Sequence, residues 1–297
     1  MNSSTSPRAA PPTKQFVQAG AHRVCYVEGG GPAVGEGAGE KPRLLLVHGW
    51  IASHQLYRKC FGGIAEMAHY RAIDLVGFGD SDKPDPATTP YDPGWYGEQL
   101  AAFLDATGWA KATVCAQSMG AIAAVEFARR FPERVEKLII LDGACVSVPP
   151  PVLGRILQAP VIGSVLFDLL GGTRKSLSDF LKNDVYYVKS VFDPAVVDDM
   201  LRIINGPGGK KAAYATMMRM VAPSSLARFT PRLSELKVPV RLLWGEHDKL
   251  YPVDRCAREM ERMISGSTLD VIAGAGHEPP VEAPEAFLRS LRAALQR

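Results

Sequence analysis

Among the residues whose types and order can do chemistry, Ser118 comes first. It lies in Val114-Cys115-Ala116-Gln117-Ser118-Met119-Gly120, an apolar run ending in a serine set between small residues. Helix-forming Ala121-Ile122-Ala123-Ala124-Val125-Glu126-Phe127 follows at once. A strand, a sharp turn and a helix lift a hydroxyl above the edge of a sheet, and small residues two positions either side let the backbone fold that tightly. Ala116 stands where glycine is usual. The same small residues suit any strand-to-helix turn, so the pattern alone is a weak signal, and the serine becomes a nucleophile only with a base and an acid supplied elsewhere.

Six histidines are present, and only His247 and His277 follow Ser118. His277 lies in Ile272-Ala273-Gly274-Ala275-Gly276-His277-Glu278-Pro279-Pro280, a glycine-rich loop after a strand-like run, which can hold an imidazole at a sheet edge. It is the candidate base. Asp248 follows the strand-like run 238–245, and the order Ser, Asp, His is the one expected when this chemistry sits on a parallel α/β sheet. Asp142 is the alternative acid, because it ends the apolar run Leu138-Ile139-Ile140-Leu141, and strand ends carry the working groups of such sheets. The oxyanion of a tetrahedral intermediate needs two backbone donors. The amides of Trp50, after the buried-strand pattern 43–47, and of Met119 are the expected pair. His48 then reads as a residue that orders its loop.

These residues need a frame. Apolar runs at 44–47, 72–75, 113–116, 138–141, 240–244 and 269–272 are separated by amphipathic stretches, the β-α alternation of a parallel sheet. Two strands at 16–18 and 23–27 come first, making eight. The alternation breaks between about 145 and 231, where helical patterns follow Pro149-Pro150-Pro151 without a buried strand. A chain of 297 residues, 46% hydrophobic, can bury one large core.

A net charge of +3 without a basic stripe argues against a nucleic-acid partner. Five widely spaced cysteines without a C-x-x-C pair argue against a disulfide framework or a zinc site, and reduced thiols fit a cytoplasmic setting. Residues 1–14 read as a disordered tail without the apolar stretch of a signal peptide. The glycine-rich stretch 29–40 lacks the Gly-Lys-Ser/Thr end of a phosphate loop and reads as a long hairpin loop. The run 152–170 is interrupted by Arg155, Pro160 and Asp168, so it offers no stable membrane span. It reads as helices packed on the core, part of which, with Leu166 and Phe167 beside Trp50, could wall an apolar acyl pocket.

Five motifs in order, His48-Gly49-Trp50, Asp74-Leu75-Val76-Gly77-Phe78-Gly79-Asp80-Ser81-Asp82-Lys83-Pro84, Ala116-Gln117-Ser118-Met119-Gly120, Gly245-Glu246-His247-Asp248 and the stretch 276–287, are similar to those of the α/β-hydrolase family. The resemblance runs from about residue 15 to 295 and implies a mostly parallel eight-stranded sheet flanked by helices. It also implies a helical cap at 146–231, inserted after the sixth strand, over a core formed by 15–145 and 232–297. Serine at 118 selects within the family. Halide-removing and epoxide-opening members use aspartate there, because their alkyl-enzyme ester is hydrolysed at the carboxylate carbon. The turn at 48–53 lacks the Gly-Pro-Gly extension typical of carbon-carbon bond hydrolases and the Gly-Gly-Pro-Gly run typical of proline iminopeptidases. The expectation is a carboxylesterase-like serine hydrolase that cleaves a small, partly apolar ester, lactone or thioester through a Ser118 acyl-enzyme, with no cofactor and no metal. Three alternatives stay open: a carbon-carbon bond hydrolase, a cofactor-free perhydrolase or acyltransferase on the same triad, and a non-catalytic small-molecule receptor that kept the pocket.

Overall fold

The computed structural model describes residues 12–31, 41–148, 159 and 162–296. Eight strands form one sheet in the order β1-β2-β4-β3-β5-β6-β7-β8. They are β1 (Lys14–Ala19), β2 (His22–Gly29), β3 (Arg43–Val47), β4 (His69–Ile73), β5 (Ala112–Gln117), β6 (Val135–Leu141), β7 (Val240–Gly245) and β8 (Thr268–Ile272). Strands β3 to β8 run parallel, and β2 is antiparallel to both its neighbours. Every residue of β5 is buried, as expected for a central strand covered by helices on both faces. Strand β8 is the edge, and its exposed Thr268, Asp270 and Val271 show why its apolar pattern is short.

The chain passes from β3 outward to β4 and then returns across β3 to β5. This reversal opens a crevice beyond the carboxyl ends of β3 and β5, where open α/β sheets place their ligands. The turn after β3 carries His48, Gly49 and Trp50, and the turn after β5 carries Ser118. Strand β4 ends two residues earlier than its apolar pattern 72–75. Asp74 and Leu75 are pulled into a turn, Asp74 N–H donating to Cys25 O and Leu75 N–H to His48 Nε2.

Helices α1 (Phe61–Met67), α2 (Pro93–Ala106) and α3 (Met119–Arg130) belong to the sheet layers. Asp92 caps α2 by accepting from Trp95 N–H, and Pro93 sets its first turn. The alanines of α3 are buried and let it lie close on the sheet. Between β6 and β7 come α4 (Ile162–Leu170), α5 (Arg174–Phe180), α6 (Pro194–Asn205), α7 (Gly209–Thr216) and α8 (Pro223–Phe229), which form the helical cap inserted after strand six. The chain closes with α9 (Arg258–Met263), α10 (Pro279–Glu282) and α11 (Pro284–Gln296). Among the described residues no helix is long and apolar enough to cross a membrane. Residues 1–11, most of the glycine-rich stretch, the prolines 149–151, and 152–158, 160 and 161 of the apolar run lie outside the described residues.

Candidate active site

Ser118 is the turn between β5 and α3, with φ 52° and ψ −123°. Such a left-handed angle is costly for a residue with a side chain, of order 1–3 kcal/mol, and persists where surrounding bonds over-determine it. Here Ser118 N–H donates to Leu141 O, and Ser118 O accepts from the amides of Ala121 and Ala144. Ile51 and Asp142, at the ends of β3 and β6, also have positive φ. Three of the four non-glycine residues with positive φ among the described residues therefore gather at one end of the sheet.

The turns after β3 and β5 meet so closely that side chains are excluded. A Cβ on Gly120 would lie 2.3 Å from His48 O, and one on Gly49 would lie 2.3 Å from Gln117 Oε1 and 3.0 Å from Ser118 Cβ. His48 is fully buried; its Nδ1 donates to Gly49 O at 2.7 Å and its Nε2 accepts from Leu75 N–H at 3.0 Å. Both ring nitrogens are engaged, and burial lowers its pKa, so His48 is a neutral loop-ordering residue.

His277 is 4% exposed. Its Nε2 lies 3.0 Å from Ser118 Oγ and its Nδ1 2.8 Å from Asp248 Oδ2. With Nδ1–H donating to the carboxylate, Nε2 is left to accept the serine proton. Burial opposes the imidazolium, but the charge and hydrogen bond of Asp248, aided by Glu278 and Glu282, raise the His277 pKa above its ordinary value. The other oxygen of Asp248 accepts from Leu250 and Tyr251 N–H at 2.8 and 3.0 Å, so the turn after β7 aims the carboxylate.

Asp142 sits against this group, with carboxylate oxygens of both acids and a ring nitrogen of His277 within 4.8 Å of one another. Its Oδ1 accepts from Gly245 N–H at 2.8 Å. Its Oδ2 is buried and accepts no hydrogen bond. Burial, then the neighbouring Asp248, pushes its carboxyl well above the usual range. Both effects disfavour the charged form of Asp142, and it is Asp248 that makes the 2.8 Å bond to His277. His247, the other late histidine, stacks on Tyr187, with its Nε2 3.4 Å from Glu246 Oε2, and does not line the cavity on which Ser118 opens.

A cavity of about 430 Å³ opens on Ser118 and His277. Trp50, Leu181, Val185, Met200, Met217 and Val221 are among its apolar walls, with Arg58, Asp199, Arg202 and Glu278 at polar positions. Trp50 ties the turn to the helices above it, its indole N–H donating to Ala213 O at 2.9 Å. The pocket expectation for Leu166 and Phe167 needs correction, since neither lines the cavity. Phe167 is buried behind it, 6.1 Å from the Trp50 ring and 5.6 Å from that of Tyr214. It buttresses Trp50, because α4 packs on α7 and the wall is made instead by α6 and by the chain following α5 and α7.

Two positions carry tasks that their residue types do not announce. Gln117 Nε2 donates to His277 O at 3.0 Å, linking the serine turn to the histidine loop. Asp74 accepts from His54 N–H, His54 Nδ1 and Asp80 N–H, which organises the loop after β4. Cys25, His54 and Asp74 come within ligand distance of one another, but these internal hydrogen bonds already occupy the carboxylate. All five cysteines are buried and unpaired, and burial pushes the Cys60 and Cys256 thiols up to about 12, so neither is a nucleophile.

The sequence model of the alpha/beta hydrolase family matches residues 44–290. The chain is 30% identical over 241 residues to 2-hydroxy-6-oxononadienedioate/2-hydroxy-6-oxononatrienedioate hydrolase of Burkholderia vietnamiensis, covering 77% of this chain and 78% of that one. It is 24% identical over 245 residues to pimeloyl-[acyl-carrier protein] methyl ester esterase of Neisseria meningitidis, covering 82% and 89%. The crystal structure of Cfl2 from Burkholderia cenocepacia superposes with a TM-score of 0.81 at 27% identity, covering 97% of each chain.

Proposed function

Because the chain belongs to the α/β-hydrolase family, we propose that it is a serine hydrolase of small carboxylic esters, lactones or thioesters, working through a Ser118 acyl-enzyme. The observation that carries this reading is the unbroken contact from Ser118 Oγ through His277 to Asp248, at 3.0 and 2.8 Å, opening on an apolar cavity. As Ser118 Oγ attacks the ester carbonyl, its proton passes to His277 Nε2, and Asp248 stabilises the imidazolium without taking a proton. The carbonyl oxygen becomes an oxyanion between the amides of Trp50 and Met119, whose turns are held together by the Gly49 and Gly120 approaches. His277 returns the proton to the leaving alcohol or thiol. Water then enters, loses a proton to the same nitrogen and attacks the acyl carbon, which releases the acid and restores Ser118.

The esterase relative supports the ester class, and the 2-hydroxy-6-oxo-dioate hydrolase relative supports a second reading, hydrolysis of a vinylogous dicarbonyl at a carbon-carbon bond on the same residues. Short p-nitrophenyl esters and a 2-hydroxy-6-oxodienoate offered side by side separate them. Saturable ester hydrolysis, together with fluorophosphonate labelling that disappears in Ser118→Ala, is the expected result. Labelling retained in that variant would remove Ser118 from the reaction, and no turnover of any ester, lactone or dienoate would leave a binding protein in the shape of an enzyme.

A further inference from the structure

One carboxylate, that of Glu282, holds four backbone amides on two separate parts of the chain. Its Oε2 accepts from Tyr187 and Val188 N–H at 2.8 and 3.0 Å. Its Oε1 accepts from Gly276 and Glu278 N–H at 3.1 and 3.2 Å. The first pair follows Leu181 and Val185, which line the cavity, and the second pair flanks His277. His277 N–H completes the seam by donating to Val185 O at 3.0 Å. There is no room between the two segments, since a Cβ on Gly276 would lie 2.8 Å from both Tyr187 N and Val185 O. Glu282 is 7% exposed, and a buried carboxylate is tolerable when several donors satisfy its lone pairs.

We propose that Glu282 is a positioning residue that locks the cavity-lining segment 181–188 to the His277 loop, so that one side chain sets both the acyl wall and the base. The proposal rests on the reading of His277 as the base. Besides its hydrogen bonds, Glu282 contributes charge. The titratable groups acting on His277 are Asp248, Glu278 and Glu282, with the Tyr251 ring 5.6 Å away, and those that feel Glu282 on its other sides are Asp142, Tyr186 and Glu278. A glutamine at 282 keeps the shape but offers one acceptor oxygen and an NH₂ group, so one amide pair faces a donor. It also removes a negative charge that favours the imidazolium.

Glu282→Gln in the full chain tests this through amide exchange, His277 ring titration by NMR, and kcat/KM on p-nitrophenyl acetate. Expected are faster exchange at one or both amide pairs, a His277 titration moved to lower pH, and kcat/KM reduced by about 10- to 100-fold, the cost of misplacing a reacting group by around an ångström. Unchanged exchange at all four amides, or a His277 titration that stays in place, overturns the proposal. A variant that does not fold transfers the decision to the parent protein, where the four amides should open as one unit with protection factors agreeing within about tenfold, and a wider spread overturns it. Exchange and titration are read without turnover. A lock observed in a protein that hydrolyses nothing would therefore sink the hydrolase reading and leave the lock standing.

Discussion

Asp248→Asn is the perturbation whose effect follows most directly from the geometry. In the resting site His277 is neutral and the carboxylate at 2.8 Å only orients it. During attack the ring becomes a cation. Two unit charges at that separation attract by about 6 kcal/mol at an effective dielectric of ~20, and this attraction exists in the transition state but not in the ground state. At about 1.4 kcal/mol per tenfold, its loss corresponds to roughly 10⁴ in turnover, the same order as a carboxylate-to-amide change in a serine-protease triad. Asp142→Asn makes the same chemical change nearby and should do little. Burial and Asp248 push the Asp142 carboxyl well above the usual range, it makes no bond to His277, and an asparagine Oδ1 can still accept from Gly245 N–H, so kcat should stay within about tenfold of the parent. The assay is kcat and kcat/KM on p-nitrophenyl acetate between about pH 5 and 9, with thermal melts to verify folding. Asp142→Asn losing as much as Asp248→Asn, or Asp248→Asn losing less than about tenfold, would refute the assignment of Asp248 as the acid.

The raised pKa of His277 sets the acidic limb. Protonated His277 cannot accept the Ser118 proton, so activity is lost as pH falls through that pKa, and kcat/KM should reach half its plateau above the ordinary histidine value of about 6.5; a midpoint at or below it contradicts the carboxylate's influence. Met217→Ala enlarges the cavity and should move the preferred acyl length upward, each added methylene that finds contact contributing up to about 0.8 kcal/mol, as read from kcat/KM for acetate through decanoate esters. Phe167→Ala should instead lower stability by about 3–5 kcal/mol in a denaturant melt and leave the chain-length profile alone, because Phe167 is buried behind Trp50; a shifted profile at unchanged stability would return α4 to the acyl wall.

Much of this molecule is written in local pattern. The apolar runs that become β3, β5, β6 and β7 are buried strands because a parallel sheet covered on both faces demands continuous apolar residues, and that demand is visible without coordinates. Ser118 and His277 are legible for a related reason: a strained turn and a glycine-rich loop need particular small residues around them. The choice between Asp248 and Asp142 is not legible in the same way, since both end apolar strands. It depends on which carboxylate reaches Nδ1 and which is buried beside another acid, and both are properties of side chains 106 positions apart in the chain. The cavity wall was likewise out of reach, because the face a cap helix turns to the cavity is set by its packing on other helices. Phe167 has the right chemistry for a pocket and lies one layer behind it, whereas Met200, Met217 and Val221 carry no mark of their position. Glu282 is the extreme case. Its partners are main-chain amides, which every sequence supplies at every residue but proline, so only the tertiary fold could decide that four of them point at one carboxylate.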